Sequence, residues 1–291
     1  MANLKEVRTR IASVSSTQQI TSAMKMVSAA KFRRAQNAII GMRPYSAQLD
    51  EIVADINIED GVSTPYHEVR KADKVLLVVV TSNKGLCGAF NSNVIKLATS
   101  RLAELRKTAS QVTMITLGKR CSEFFRKQQG LVETSYDDLL DNPSFDAVAA
   151  IADDIMQRFR DKVYDRVEVI YNQFKNSLTQ ILSDDVLLPL KHSGQNSKAK
   201  QSPQANDYIF EPSKQEILRE MVPLMIRSYL YRVVLDSLAA EHGARMTAMQ
   251  KATDNATELL KDLKLSYNKA RQATITNEII EIVSGSEALK G

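Results

Sequence analysis

Cysteine and histidine are scarce in this chain of 291 residues, which holds two of the first and three of the second. Cys87 and Cys121 offer neither a disulfide framework nor a thiolate metal site, and they fit a reducing compartment. His67, His192 and His242 are scattered with no HExxH spacing, so zinc chemistry is not indicated. The chain has no run of about 18 apolar residues, which excludes a membrane-spanning helix. The opening MANLKEVRTRIAS lacks an apolar h-region, so no secretory signal is expected there. Residues 1–40 and 244–284 lack both glycine and proline, the two residues most costly to a helix interior. Each end is therefore predicted to run as one long helix, with at least part of it outside any globule.

Apolar spacing predicts that the two helices pair. Leu4, Val7, Ile11 and Val14 step by 3, 4 and 3, the rhythm of a coiled-coil seam. The stripe turns polar at Gln18 and Thr21 and is expected to resume, shifted, as Ile20, Met24 and Val27. Near the other end Ala256, Leu260, Leu263, Tyr267 and Ala270 keep the rhythm, and Ile275, Ile279 and Ile282 then suggest a displaced stripe. A helical hairpin buried in a larger core is the plainer alternative. Pro44 and Pro223 are each expected to kink or locally open a helix.

The middle reads as α/β. Buried-strand runs occur at 74–81, 111–118 and 165–174, with helical segments at 90–107 and 146–161. Residues 177–190 suit an antiparallel return, so a mixed sheet is expected, and the polar stretch 191–206 reads as a mobile surface loop. Ser213 followed by Glu216 is a capping box opening the last helix. The turn TSNKGLCGAFN (81–91) follows the first strand where doubly wound folds hold phosphates, and Lys84 adds a positive charge. It matches neither GxGxxG nor GxxxxGK[ST], and a structural turn is the competing reading. No histidine is tied by motif to Cys87, which argues against a nucleophilic thiol.

Charge is uneven. Residues 1–40 carry Lys5, Arg8, Arg10, Lys25, Lys31, Arg33 and Arg34 against Glu6 alone. Such a stripe suits an acidic protein surface or nucleic acid, or is simply a solvated face. No aromatic platform or known reading motif accompanies it, which counts against nucleic acid.

The segments ITSAMKMVSAAKFRRAQ (20–36), GLCGAFN (85–91), DYIFEP (207–212), RMTAMQKATDNA (245–256) and SYNKARQATITNEIIEIVSG (266–285) resemble the gamma subunit of F-type, proton-transporting ATP synthases of bacterial kind. The resemblance runs from Asn3 to about Leu289 and implies an α/β architecture. Its parts would be a long antiparallel, left-handed coiled coil of the terminal helices (1–58 and 212–286) and a Rossmann-like central domain (70–211). It implies a non-catalytic rotor without cofactors, one copy per complex, partnered by alpha and beta subunits, the epsilon subunit and the c-subunit ring. Membrane attachment would come only through that complex, on the cytoplasmic face. Met24, Lys25, Lys31, Arg33, Arg34, Arg271 and Gln272 match the family's beta-subunit contacts, and Tyr208 and Glu211 its contact with epsilon and the c ring. The cysteine pair of thiol-regulated chloroplast members has no counterpart here. A nucleic-acid adaptor and an enzyme using the Gly-rich turn are the readings from other classes.

Overall fold

The computed structural model describes residues 4–60, 64–128, 130–190, 211 and 213–288. The helices are α1 (Leu4–Asp60), α2 (Phe90–Thr108), α3 (Lys119–Phe125), α4 (Phe145–Arg160) and α5 (Lys214–Ala288). Between α1 and α5 lie β1 (Lys74–Val80), β2 (Gln111–Leu117), β3 (Val132–Tyr136), β4 (Arg166–Phe174) and β5 (Gln180–Leu188). They form one sheet in the order β3-β2-β1-β4-β5, in which only the β4–β5 pairing is antiparallel. Contacts divide the chain into two compact units, residues 1–29 with 245–291, and residues 30–244. The stretch 191–206 lies outside the described residues.

In the larger unit, β1 reads KVLLVVV because both of its faces are covered. Leu76, Val78 and Val80 enter one core with Val148, Ile151, Ile155 and Phe159 of α4 and with Leu218, Val222, Ile226 and Leu230 of α5. Val75, Leu77 and Val79 enter the other, against Val94, Ala98, Leu102 and Leu105 of α2 and Cys121 and Phe125 of α3. Burial in that second core pushes the Cys121 thiol far up, with Asp137 adding to the shift, so it is no nucleophile. The α4 helix begins where Ser144 Oγ accepts from the Ala147 amide at 3.2 Å, and α5 where Ser213 Oγ accepts from the Glu216 amide at 3.3 Å, as the capping box predicts.

The strands at 74–81, 111–118 and 165–174 and the antiparallel return are as the sequence predicts. The short elements β3 and α3 escape it. VETSY is an edge strand with a mixed pattern, and a helix of seven residues is too short to establish a period. α1 stays helical through Pro44, and α5 through Pro223. Each proline forfeits one amide bond. The adjoining turns are anchored by buried Ile39 and Val53 in α1 and by Val222 and Ile226 in α5, so packing holds each helix together.

Glu168 on central β4 is fully buried and ionised. Burial pushes its carboxyl up, but two Arg101 hydrogen bonds of 2.8 Å and the Arg166 guanidinium outweigh that and hold it below the usual range. Gly118 closes the turn after β2 with a φ of 107°, and a Cβ there would sit 2.2 Å from the Thr81 carbonyl oxygen. Gly118→Ala is expected to cost ~3 kcal/mol, combining left-handed strain with a backbone clash. Urea unfolding of the two proteins side by side measures it, and equal midpoints would show that the turn relaxes freely.

In the smaller unit α1 and α5 pair antiparallel. Gln18 Nε2 donates to Thr257 Oγ1 at 2.7 Å and Thr253 Oγ1 to Thr21 Oγ1 at 2.8 Å, so the two chains run in opposite senses. The predicted shift of the seam is corrected here. Val7 and Thr21 are buried, Ile11, Val14, Gln18 and Lys25 half-buried, and Ser28 buried again, an unbroken alternation of 3 and 4. Ile20 and Val27, read as the shifted stripe, are each 59% exposed. The seam turns polar without moving, because hydroxyl and amide partners across it satisfy Gln18 and Thr21. A strict period of 3.5 over several heptads imposes a left-handed supercoil.

Candidate functional site

Two regions were legible as candidate sites, and the Gly-rich turn after β1 is the more chemical of them. Its polar groups are taken up locally. The Ser82 amide donates to Asn91 Oδ1 at 2.9 Å, and Ser82 Oγ donates to the Lys84 carbonyl at 2.7 Å. Asn91 Nδ2 donates to Ser82 Oγ at 2.8 Å and to Cys87 Sγ at 3.2 Å, and the Lys119 amide donates to Asn83 Oδ1 at 3.1 Å. Side chains of the turn thus bond one another and the Ser82 and Lys119 amides, which ties the turn to itself and to the start of α3.

The crevice beside the turn is also filled. In a sheet ordered β3-β2-β1-β4, the chain reverses its direction of winding between β1 and β4, and ligands of such folds bind outside the carboxyl ends of those strands. Here Cys87, Phe90 and Phe174 from those ends pack with Ile39 of α1 and Leu235, Ala239 and Ala240 of α5. The two long helices stand where a nucleotide would. The isolated protein is expected to show no micromolar ATP binding in titration calorimetry, and binding abolished by Lys84→Ala would overturn this reading.

The other candidate is the surface of the paired helices. In the smaller unit Met24 and Lys25 are half-buried, and Lys25 takes a seam position between buried Thr21 and Ser28. A cation in the seam lowers stability but helps select one register. Arg271 and Gln272 are exposed at the other end of the pair. Lys31, Arg33 and Arg34 belong to the larger unit and are exposed on α1. Glu211 is exposed too, and Tyr208 lies outside the described residues.

The most prominent surface in the smaller unit escaped the sequence reading. The register set by Gln18–Thr257 and Thr21–Thr253 puts Leu4 opposite Ala270 and Arg271. Every residue of α5 from 271 to 288 is exposed, a length of ~27 Å at 1.5 Å per residue. Ile275, Ile279 and Ile282, expected on a displaced seam, are 48%, 55% and 71% exposed, and Ile280 and Val283 are open as well. The signal that would have found this is length: once the helices pair antiparallel, α5 outlasts α1. Among the described residues no helix is long and apolar enough to cross a membrane.

A sequence model of the family described as ATP synthase matches residues 3–289. The chain is 52% identical to the ATP synthase gamma chain of Flavobacterium johnsoniae and 49% identical to that of Christiangramia forsetii, over the whole of both chains in each case. Among solved structures it is similar to a chain from the central stalk and c ring of the Tetrahymena thermophila mitochondrial ATP synthase. That chain is 26% identical with a TM-score of 0.59, the match covering 80% of this chain and 99% of that one. A chain of the Euglena gracilis mitochondrial ATP synthase, at 20% identity, supports the fold alone, with a TM-score of 0.70 over 98% of this chain and 94% of that one. A filled nucleotide crevice, a helix pair with an exposed apolar end and full-length relatives sharing half of their residues agree: the chain belongs to the ATP synthase gamma chain family, the non-catalytic central-stalk subunits of that machine.

Proposed function

We propose that this rotor subunit couples proton flow through a membrane ring of c subunits to ATP synthesis and hydrolysis in a ring of alpha and beta subunits. The observation that carries the reading is the end of α5. Five large aliphatic side chains between residues 275 and 283 face water there, which is a poor surface for a free protein and a good one for a shaft end enclosed by a ring. Among the described residues α1 begins at Leu4, opposite Ala270 and Arg271, and covers none of them; on this reading a partner does.

The basic residues give the shaft its second property. Met24, Lys25, Lys31, Arg33 and Arg34 are assigned to an acidic loop of the beta subunits, and Arg271 and Gln272 to a polar catch on them. Such charges steer and register a contact more than they tighten it, which suits a surface that must release and re-engage. Catalytic sites are driven unequally because each shaft angle offers them different contacts, and a state is favoured only by differential contacts. Glu211 and Tyr208 are assigned to the epsilon subunit and the c ring. Attachment is peripheral, at the cytoplasmic face, through the complex, with one copy in each.

The test is replacement. A strain lacking its own gamma chain and supplied with this one should yield a complex that holds one copy per three beta subunits. Its membrane vesicles should take up protons on ATP addition. Recovery of alpha and beta subunits without this chain, or hydrolysis without proton uptake, would overturn the reading.

A further inference from the structure

We propose that the turn joining β4 to β5 is the joint through which the sheet and the two long helices turn together, and that Arg43 is its positioning residue; the proposal rests on the rotor reading above. Phe174 ends β4. Arg43 of α1 donates from Nη2 to the Phe174 carbonyl at 2.6 Å, and from the same nitrogen to Asp236 Oδ1 of α5 at 2.7 Å. One backbone position at the end of the sheet is thus tied directly to α1 and, through Arg43, to α5. The Phe174 ring meets Phe32 of α1 edge to face, with centroids 5.5 Å apart.

The turn continues along α5. A Cβ at Gly243 would lie 3.4 Å from the Ser177 Cα and carbonyl oxygen and 3.4 Å from Phe32, so glycine lets the turn rest directly on the helix. Asp236 and Gly243 are two helical turns apart, and the turn spans that distance. All of these groups lie in the unit of residues 30–244.

Much of what else binds the helices to the sheet is apolar: Leu218, Val222, Ile226, Leu230 and Val233 of α5 against β1 and β4. Apolar burial is non-directional and resists sliding weakly, whereas a bonded charge pair has one geometry. Tyr229 of α5 adds a second polar tie, donating to Asp185 of β5 at 2.8 Å. Arg43 is set apart by joining α1, β4 and α5 at a single atom. The Asp236 side chain is 2% exposed, so any twist that pulls Arg43 away strands a buried carboxylate. Arg43 itself is 42% exposed, so its removal leaves little cavity, and the cost of the change is the unpaired Asp236 carboxyl.

The experiment uses the assembled complex in membrane vesicles, with proton uptake per ATP hydrolysed measured at rising opposing proton gradient. Arg43→Met should assemble and hydrolyse ATP, match the parent at low gradient, and lose coupling about tenfold at high gradient, the scale of one hydrogen bond to a charged group. Arg43→Lys should retain coupling, since both bonds leave one nitrogen and an ammonium has three donors. A merely structural role would lower thermal stability and yield while leaving the ratio untouched, and an unchanged ratio in Arg43→Met overturns the proposal. If Arg43→Met does not assemble, Asp236→Asn decides: it removes the buried charge, and normal coupling under load would equally overturn the proposal. Failure of the unmodified chain to couple would instead count against the rotor reading itself.

Discussion

Leu260→Asp is expected to separate the helix pair and to abolish assembly with the catalytic ring. Leu260 is 8% exposed in the middle of the α5 seam, between buried Ala256 and half-buried Leu263. A carboxylate there replaces a seam leucine and costs ~3 kcal/mol or more while the seam stays closed. The seam of this unit is one side chain wide and polar for part of its length, so little apolar packing is available to absorb such a loss. Circular dichroism during thermal unfolding, together with copurification of alpha and beta subunits, reads the effect. Leu259 next to it is 47% exposed, and Leu259→Asp should change stability by less than ~0.5 kcal/mol. Equal behaviour of the two variants would place Leu260 outside the seam.

Met24→Lys is expected to uncouple the machine without dismantling it. Met24 is half-buried on α1, beside Lys25 and one turn before buried Ser28, whose hydroxyl donates to the Met24 carbonyl at 2.7 Å. A lysine keeps an aliphatic stem over the same surface and carries its ammonium outward, so folding should be little affected. On the proposed reading an acidic loop of the beta subunits passes this point, and the new cation forms a charge-assisted hydrogen bond to it. A bond that must break at every step raises the rotational barrier, at ~1.4 kcal/mol per tenfold in rate. Proton uptake divided by hydrolysis rate, measured in vesicles for variant and parent together, should fall severalfold while the yield of complex is unchanged. An unchanged ratio would remove Met24 from the coupling surface.

Much of the central unit was legible because its signals are local. KVLLVVV can only be a strand covered on both faces, and the capping serine of α5 carries its own amide partner three residues on. The basic residues of α1 were legible as a charged stripe for the same reason. The seam was misread where its chemistry changed. Gln18 and Thr21 look like a break to a rule that counts apolar residues, yet each has a partner 239 or 232 positions away that makes it a seam residue.

Sequence alone determined that both ends are continuous helices, that they carry a 3–4 repeat suited to pairing, that a largely parallel sheet lies between them, and that the turn at 81–91 lacks a phosphate-binding pattern. These follow from backbone propensity and from side-chain period, which act within a few residues. Tertiary structure alone decided that the seam keeps one register through its polar stretch, that residues 271–288 of α5 are left uncovered, and that the crevice beside β1 is closed by Ile39, Leu235 and Ala239. It also decided that Arg43 meets Asp236 across 193 positions. Each of these depends on where a distant segment ends or which distant group satisfies a buried charge, and no local pattern carries that information.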